Sequence, residues 1–294
     1  YVDGAFFDED KLKRILYSVG DRIKKETHGE VKEVYVGVPG EFTKVFVKDS
    51  QISFTKKKKI KEKDVDALFD SAFVISTSKY TLINRSAIVY ELDDFRRLAN
   101  PLCATSEILK GKLSFVLCSN YFIEIVKPIL ESVGMIKVEC VSSDLAQALY
   151  LVDAETRDRI AIIADVGHIS TTVTIIQGDG LLHKDTFSYG GGYITAEISQ
   201  NFSIDFDLAE NLKRQVSLTS ISPSSGVNLI YGDNGQYYSA DEIKALVLRS
   251  LESLCESLSE SLENSGYSIP EYVPIMITGG GITYIRGAKE HLSG

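Results

Sequence analysis

The chain has 294 residues, of which 44% are hydrophobic and 25% charged, and its formal net charge is -9. This length exceeds what one small core needs, so two domains or a two-lobed body are expected. The acidic balance argues against general nucleic-acid binding, which requires a basic face. The four cysteines are widely separated and fit no zinc-binding spacing. The sequence contains no run of about 18 apolar residues, the length needed to cross a bilayer.

The first half of the chain alternates predicted helices and strands. A helix is predicted over residues 8–25, where apolar residues repeat every three or four positions. Further helices are predicted at EKDVDALFDSA, at DLAQALYLV, and at YFIEIVKPILESVG, which Pro128 should interrupt. Strands are predicted at EVYVGVP, YTLINRSAIVYELDD, KLSFVLC and IKVECV, and KVFVKDSQISF alternates like a pair of strands.

After residue 158 the pattern changes to three successive strands, IAIIADVG, TTVTIIQ and LLHKDTFSYG. The Gly178-Asp179-Gly180 turn makes the last two a hairpin. Helices follow over residues 193–202 and 207–216, and the second begins with Asp207 and Glu210 in a capping-box arrangement. Residues 217–238 form a loop or small sheet, and Ser239 caps a long amphipathic helix that ends at Gly266. An apolar strand, three glycines and a helix start close the chain.

Three glycine turns in this second half contain candidate ligand-binding residues. In the first, Asp165 leaves a buried strand and Gly167, Ser170 and Thr171 follow, so that amides and hydroxyls could donate to a phosphate. The Asp165 carboxylate could hold a water on Mg²⁺. The turns SYGGGYIT and ITGGGI each open a helix, whose amides could face a nucleotide. An ordinary hairpin turn and ordinary strand-to-helix turns are the alternative interpretation.

Four segments in this order resemble the actin-like ATPase superfamily: DVGHISTTVTII, YGGGYITAEI, LAENLKRQ and MITGGGITYIRGAKEHL. In the first half, EVYVGVPGEFTKVFV, KIKEKDVDALFDSA and SVGMIKVECVSSDLAQALYLV resemble the FtsA family of bacterial cell-division proteins. The resemblance implies an α/β, two-lobed actin-like (RNase-H-like) fold with an FtsA-type inserted subdomain in the first lobe. The implied parts are a first-lobe core (1–40 and 137–158), the inserted subdomain (41–136), a second-lobe core (159–212 and 267–294) and a second-lobe outer subdomain (213–266).

The resemblance also implies that ATP and Mg²⁺ bind. Asp165 would hold Mg²⁺ through water, and Glu210 and Lys213 would contact the ribose, although a helix-cap acid and a solvated lysine are the alternatives. The implied nucleotide-binding residues are Asp165, Gly167, His168, Ser170, Thr171, Gly191, Gly192, Glu210, Lys213, Gly279, Gly280, Gly281 and Tyr284. Arg249 and Glu252 resemble an Arg-x-x-Glu in the helix that receives the FtsZ tail, and an ordinary exposed arginine is the alternative.

The sequence departs from the family pattern in four places. The first phosphate loop and the C-terminal membrane helix lie outside the chain, so both ends look trimmed. His168 stands where glycine is usual, and Val173 where aspartate is usual. Ser143 stands where the family has a water-ordering acid, with Asp144 beside it as a substitute. These changes predict weak or absent ATP hydrolysis, with the nucleotide acting mainly as structural glue.

Three functions are compatible with these sequence features. The first is an FtsA-like scaffold that binds ATP, assembles into filaments, contacts the FtsZ C-terminal tail and other division proteins, and lies at the inner face of the membrane at the division site. The widely spaced cysteines suit such a reducing, cytoplasmic setting. The second is an actin-like tether of a pilus-assembly or cell-shape machine. The third is a phosphotransferase on a small substrate, which would need Asp165 as its catalytic base.

Overall fold

The computed structural model describes residues 4–27, 31–73, 78–219, 228–270 and 272–292. The chain divides into two compact units, residues 1–162 with 174–184 and residues 163–173 with 185–294. Across the described ranges, no helix combines the length and the apolar character that a membrane span needs.

The first unit contains a parallel pair of strands. β1 (Glu33–Val38) and β6 (Lys137–Ser142) pair in parallel along their whole length. Helices α1 (Glu9–Thr27) and α3 (Asn120–Ser132) pack on them through their apolar faces, as their sequence periodicity predicts. The buried members of this core are Val38, Phe42, Cys118, Phe122, Val126, Leu130, Val133 and Met135.

Between β1 and β6 the chain forms a separate antiparallel sheet with its own core. Its strands lie in the order β2 (Thr43–Lys59), β5 (Thr105–Ser119), β3 (Tyr80–Leu92) and β4 (Arg97–Leu98). Helix α2 (Glu62–Ala72) packs against it, and the buried side chains of this core are Ile60, Leu68, Phe69, Ala72, Tyr90, Leu92, Leu109, Leu113 and Phe115. The assignment of residues 41–136 as an FtsA-type subdomain stays a prediction, and α3 from that range packs in the core of β1 and β6.

The predicted strand pair at KVFVKDSQISF is wrong, because this segment lies within the single strand β2. Asp49 and Ser50 at its middle remain extended and pair with Lys112 and Gly111 of β5. A polar Asp-Ser step without glycine or proline does not force a turn when a partner strand continues alongside it.

The predicted interruption at Pro128 is also wrong, since α3 runs through that residue. Proline removes one helix hydrogen bond and crowds the preceding turn. Here Val126, Ile129 and Leu130 around it are buried. Tertiary packing of this apolar face therefore outweighs the local preference, as is usual for amphipathic helices.

Helix α4 (Ser143–Leu151) and the short α5 (Ala154–Arg157) follow β6 within the first unit. Arg157 is only 12% exposed, and its guanidinium donates to four acceptors. These are the carbonyl oxygens of Leu149 and Val152 at the end of α4, the carbonyl oxygen of Gly178 at 3.0 Å, and the carboxylate of Asp179 at 2.9 Å. A single side chain thus ties the end of α4 to the turn at residues 178–179.

Another four-stranded sheet has the strand order β12-β7-β8-β9. Its strands are β7 (Ala161–Val166), β8 (Thr171–Gln177), β9 (Gly180–Phe187) and β12 (Ile275–Thr278). The predicted hairpin is confirmed: β8 and β9 are neighbours, and Gly178 between them has φ +58°. Consecutive residues of β7 are buried, so both of its faces are covered.

The second unit packs helices around a large apolar core. Its elements are α6 (Gly191–Phe202), α7 (Phe206–Gln215), the strand pair β10 (Leu229–Tyr231) and β11 (Tyr237–Ser239), α8 (Ala240–Asn264), α9 (Gly280–Thr283) and α10 (Ala288–Leu292). The predicted cap of α8 is confirmed, since the Ser239 side chain accepts the Glu242 amide. Ile198, Leu212, Ile243, Val247 and Leu251 lie fully buried where α6, α7 and α8 meet. Part of the predicted loop or small-sheet region, residues 220–227, lies outside the described residues.

Candidate functional site

The three glycine turns of the second unit meet through their main chains. The Gly191 amide donates to the Gly167 carbonyl oxygen at 2.9 Å, and the Gly192 amide donates to the His168 carbonyl oxygen at 2.6 Å. A Cβ atom on Gly191 would lie 2.6 Å from Cα of Gly281. Glycine is required because the backbones approach more closely than any side chain allows. The structure therefore brings all three predicted turns to one place.

Asp165 lies at the same place, one residue before the end of β7. A Cβ atom on Gly279 would overlap the Asp165 carboxylate and the Val166 carbonyl oxygen. Gly279 also has φ +99°, a conformation that residues with a side chain rarely adopt. The carboxylate thus stands beside the third glycine turn, where a hard cation and its waters could use it.

The turn between β7 and β8 presents some of its groups outward and others inward. The Gly167 amide closes the turn by donating to the Ser170 carbonyl oxygen at 2.9 Å. Thr171 is fully buried and donates to the Tyr189 carbonyl oxygen at 2.5 Å, so its hydroxyl supports the turn from behind. Within the described ranges the Ser170 hydroxyl has no hydrogen-bond partner. Of the two predicted hydroxyls, Ser170 is the one available to a ligand.

His168 turns its ring onto the start of α6. A Cβ atom on Gly192 would lie 2.8 Å from ring atoms of His168. The Phe206 ring meets the imidazole edge-on, with 5.8 Å between centroids. The histidine therefore fills the space that Gly192 leaves open, and it packs between α6 and α7.

The residue that caps helix α7 lies two positions earlier than the sequence suggests. The side chain of Asp205, not of Asp207, accepts the Leu208 amide at 2.9 Å and caps the helix. The predicted capping box with Glu210 is wrong for this reason, since Glu210 lies beyond the third position of the helix. Its carboxylate is free to serve the side chains around it.

Glu210 and Lys213 form a tight pair inside the second unit. Lys213 is 3% exposed, and its ammonium lies 2.6 Å from the Glu210 carboxylate. Glu210 also accepts from the Thr195 hydroxyl at 2.5 Å and from Arg214 Nε at 2.7 Å. Burial raises the pKa of Glu210, but the bonds from Lys213, Thr195 and Arg214 outweigh it and bring the pKa down to about 2. Burial lowers the pKa of Lys213, and the Glu210 carboxylate opposes that change.

This pair predicts an acid-sensitive contribution to stability. Because the pKa of Glu210 falls from 4.5 in the unfolded chain to about 2 in the fold, its stabilisation is complete above pH 4.5 and is lost as the pH falls toward 2. We expect Glu210→Gln to be less stable than the wild type at pH 6 and to lose less stability between pH 4.5 and 2. Urea denaturation at several pH values measures the difference, and parallel curves for the two proteins would contradict the assignment.

An open cavity of about 580 Å³ adjoins this pair in the second unit. It is lined by Asp207, Glu210, Asn211, Arg214, Gln215, Ile230 and Arg286. At one side the Arg214 guanidinium lies over the Tyr284 ring, 4.7 Å from its centroid. The volume is in the range of small-molecule sites, and a planar base could stack on either group.

The predicted water-ordering residues lie in the first unit, at the start of α4. Asp144 is 6% exposed, and the Thr43 hydroxyl lies 3.4 Å from its carboxylate. Ser143 is partly buried, and its hydroxyl would lie 2.7 Å from a Cβ atom on Gly37. Asp144 is thus a buried, engaged carboxylate, which does not suit a group that must hold a reacting water.

Arg249 and Glu252, the predicted partner-binding residues, lie on α8 in the second unit. The Arg249 side chain is 64% exposed, and one guanidinium nitrogen lies 3.9 Å from the Glu197 carboxylate of α6. Glu197 also accepts the Ser250 hydroxyl at 2.7 Å. Glu252 is exposed. Both residues are accessible, as partner binding requires.

Sequence reasoning missed three contributors to this site. Thr195, Arg214 and Glu197 each contact a predicted residue, but none stands in a recognisable motif. Thr195 follows Gly191 by four residues, one turn along α6, and this spacing is the signal that could have indicated its role.

Comparison with known proteins shows which proteins this chain is similar to. The family model for the type IV pilus assembly protein PilM matches residues 125–222. The cell division protein FtsA of Streptococcus pneumoniae is 24% identical over 213 residues, which cover 72% of this chain and 47% of that protein. FtsA of Bacillus subtilis is 20% identical over 270 residues, which cover 90% of this chain and 61% of that protein. The chain thus spans about half of the pneumococcal relative and somewhat more of the Bacillus one.

Two solved structures share the architecture. A PilM–PilN type IV pilus biogenesis complex has a TM-score of 0.60 and 18% identity, and the match covers all of this chain and 75% of that one. MreB5 of Spiroplasma citri bound to ADP has a TM-score of 0.56 and 15% identity, covering 99% of this chain and 69% of that one. The chain is thus similar in sequence to FtsA proteins and shares its fold with these actin-like structures. The predicted actin-like fold is thereby confirmed.

Proposed function

We propose that this FtsA/actin-like protein binds ATP with Mg²⁺ and works as a cytoskeletal scaffold in cell division. The observation that carries the proposal is the meeting of three glycine turns with Asp165 in the second unit. The ADP-bound MreB5 structure, which shares the fold, supports a nucleotide in this family member as well. The curated FtsA relatives support the cell-division setting.

In this proposal the phosphates face the turn at 167–170 and the base lies toward α7. The Ser170 hydroxyl and the amides of the turn other than that of Gly167 donate to phosphate oxygens, and Asp165 holds Mg²⁺ through water. Among the described residues no three His, Cys, Asp or Glu side chains come together as a metal-binding group. Mg²⁺ would therefore arrive with the nucleotide and take most of its ligands from phosphate and water.

We infer that hydrolysis is slow. Ser143 has no carboxylate, and Asp144 is buried against Thr43. Loss of a positioned proton acceptor costs a factor of about 10²–10⁴ in rate. Binding of the nucleotide, more than its hydrolysis, then controls assembly and partner binding.

Equilibrium binding of a fluorescent ATP analogue to the whole chain tests the proposal. We expect binding that strengthens when Mg²⁺ is added and that unlabelled ATP displaces. A protein that binds no analogue with or without Mg²⁺ would refute the nucleotide role.

A second candidate is a tether of the pilus-assembly machine. The match of the PilM family model to residues 125–222 and the fold shared with the PilM–PilN complex favour it. The proposed nucleotide site does not distinguish the two candidates, so the test compares their partners. Capture of the FtsZ C-terminal peptide, in parallel with capture of PilN, distinguishes cell division from pilus assembly.

We propose the exposed Arg249 face of α8 as the contact for the acidic FtsZ tail. The acidic tail must compete with Glu197, whose carboxylate already lies 3.9 Å from Arg249. The fuller role, at the inner face of the membrane with other division proteins and in filaments, rests on the FtsA relatives.

Glu197→Gln is expected to tighten peptide binding by about two- to fivefold, because a partly exposed ion pair is worth up to about 1 kcal/mol. Glutamine keeps an oxygen that can accept the Ser250 hydroxyl, so the fold should not change. Arg249→Glu should weaken binding at least about tenfold. Glu256→Gln on the same helix is the control. Fluorescence anisotropy of the labelled peptide measures all four proteins, and equal affinity for wild type and Glu197→Gln would contradict the competition.

A further inference from the structure

We propose that Lys213 and Thr195 are positioning residues and that Lys213 does not contact the ribose. They fix the turn at residues 167–170, called the phosphate turn because the proposed nucleotide places its phosphates there. The inference rests on the proposed nucleotide site and changes the role of one of its residues. Its basis is the way in which Lys213 is bonded at the start of α6.

The ammonium of Lys213 has no donor left for a ligand. Its three acceptors are the Gly191 carbonyl oxygen at 2.8 Å, the Thr195 hydroxyl at 2.8 Å and the Glu210 carboxylate at 2.6 Å. A lysine ammonium has three N–H bonds, so these contacts use all of them. With 3% of its side chain exposed, Lys213 also has no path to a ligand in solvent.

Thr195 completes the same network. It is fully buried, and its hydroxyl lies 2.5 Å from the Glu210 carboxylate and 3.0 Å from the Gly191 carbonyl oxygen. A hydroxyl has one proton to donate, and the shorter distance indicates that Thr195 donates it to the Glu210 carboxylate. The hydroxyl oxygen then accepts from Lys213. Thr195 thereby fixes both charged partners relative to α6.

The effect reaches the phosphate turn through one peptide plane. The Gly191 carbonyl that Lys213 holds and the Gly192 amide belong to the same peptide group, which is planar. That amide donates to the His168 carbonyl oxygen at 2.6 Å. Lys213 on one side and His168 on the other therefore set the orientation of a single plane between two glycines. Glycine has no side chain to restrain this plane by itself.

Removal of the ammonium should release the plane and loosen the turn at residues 167–170. Affinity then falls for every ligand that carries the phosphates, whether or not it has a ribose. A direct contact with the ribose predicts a different pattern, in which affinity falls only for ligands that carry the ribose 2′-hydroxyl. The two roles are thus separable by choice of ligand.

The experiment compares ATP, 2′-deoxy-ATP and inorganic tripolyphosphate on the wild type, Lys213→Met and Thr195→Val. We expect Lys213→Met to weaken all three by a similar factor of about ten, and Thr195→Val to weaken all three by less. The double variant Lys213→Met/Glu210→Gln removes the buried charge left behind and guards against a protein that fails to fold. Lys13→Met is the matched control, since Lys13 forms an exposed pair with Asp10 at the same spacing along a helix.

Hydrogen exchange of the unliganded proteins gives a readout that needs no nucleotide. The Gly191 and Gly192 amides should exchange faster in Lys213→Met and in the double variant than in the wild type or in Lys13→Met. A loss for ATP alone would restore the ribose contact, and unchanged affinity and exchange would reduce Lys213 to a structural residue; either result overturns the inference. If the wild type binds none of the ligands, the nucleotide role fails, and faster exchange alone then supports the positioning role.

Discussion

Replacement of Gly281 by alanine should destabilise the second unit by about 3 kcal/mol and weaken ATP binding at least about tenfold. A Cβ atom there would lie 2.8 Å from the Val166 carbonyl oxygen, 2.9 Å from the Gly191 nitrogen, and closer still to the Gly167 carbonyl oxygen. All three are main-chain atoms, and no side chain can rotate away to relieve the overlap. The turns that meet at this point would have to separate.

Gly280→Ala provides the matched control for this variant. Gly280 is exposed, and the nearest atom to a Cβ there belongs to Tyr284 at 3.8 Å. Both glycines lie in α9 without positive φ, so backbone preference does not separate them. The control should change stability by no more than about 0.5 kcal/mol. Thermal and urea denaturation with analogue binding measure both proteins, and equal behaviour would show that the turns do not pack as described.

Arg157→Met should cost the first unit about 3 kcal/mol of stability. Methionine keeps much of the apolar stem but leaves the carbonyl oxygens of Leu149, Val152 and Gly178 without their donor. Two of these groups end α4, where a cation is also favoured by the helix dipole. Asp179 is 63% exposed and can return to water, so most of the loss comes from the half-buried contacts with the Val152 and Gly178 carbonyl oxygens.

Arg159→Met, two residues further on, is the control for this change. Arg159 is exposed, and its side chain makes no hydrogen bond to any residue that the structure describes. Urea denaturation gives the loss of stability. Hydrogen exchange of the Gly178 amide, which donates to the Arg157 carbonyl oxygen at 2.6 Å, reports on the turn itself. Equal stability of the two variants would contradict the role given to Arg157.

The sequence was most informative where one residue type has one physical use. Glycines at strand ends predicted three close approaches of the backbone, and all three occur at one place. Alternating and 3.6-residue patterns predicted most helices and strands, including the long helix capped by Ser239. The order of the motifs along the chain was sufficient to predict the actin-like fold.

Predictions failed where a distant partner decided the outcome. β2 stays extended through Asp49 and Ser50 because β5 pairs with it there, and α3 continues through Pro128 because its apolar face is buried. The environment of Lys213 could not be predicted either, since Gly191 and Thr195 reach it from another helix. Such contacts depend on tertiary packing and leave no local pattern.

The glycine turns contact one another through carbonyl groups, amides and α-carbons. This has a consequence for how far the sequence can diverge. An architecture held together at that point by atoms common to every amino acid needs only the absence of side chains, so the surrounding chemistry is free to drift. A serine can replace an acid at the head of α4, and a histidine can take the place of a glycine, while the frame persists. A chain about one-fifth identical to FtsA of Bacillus subtilis can in this way keep an actin-like fold while residues around the turns change.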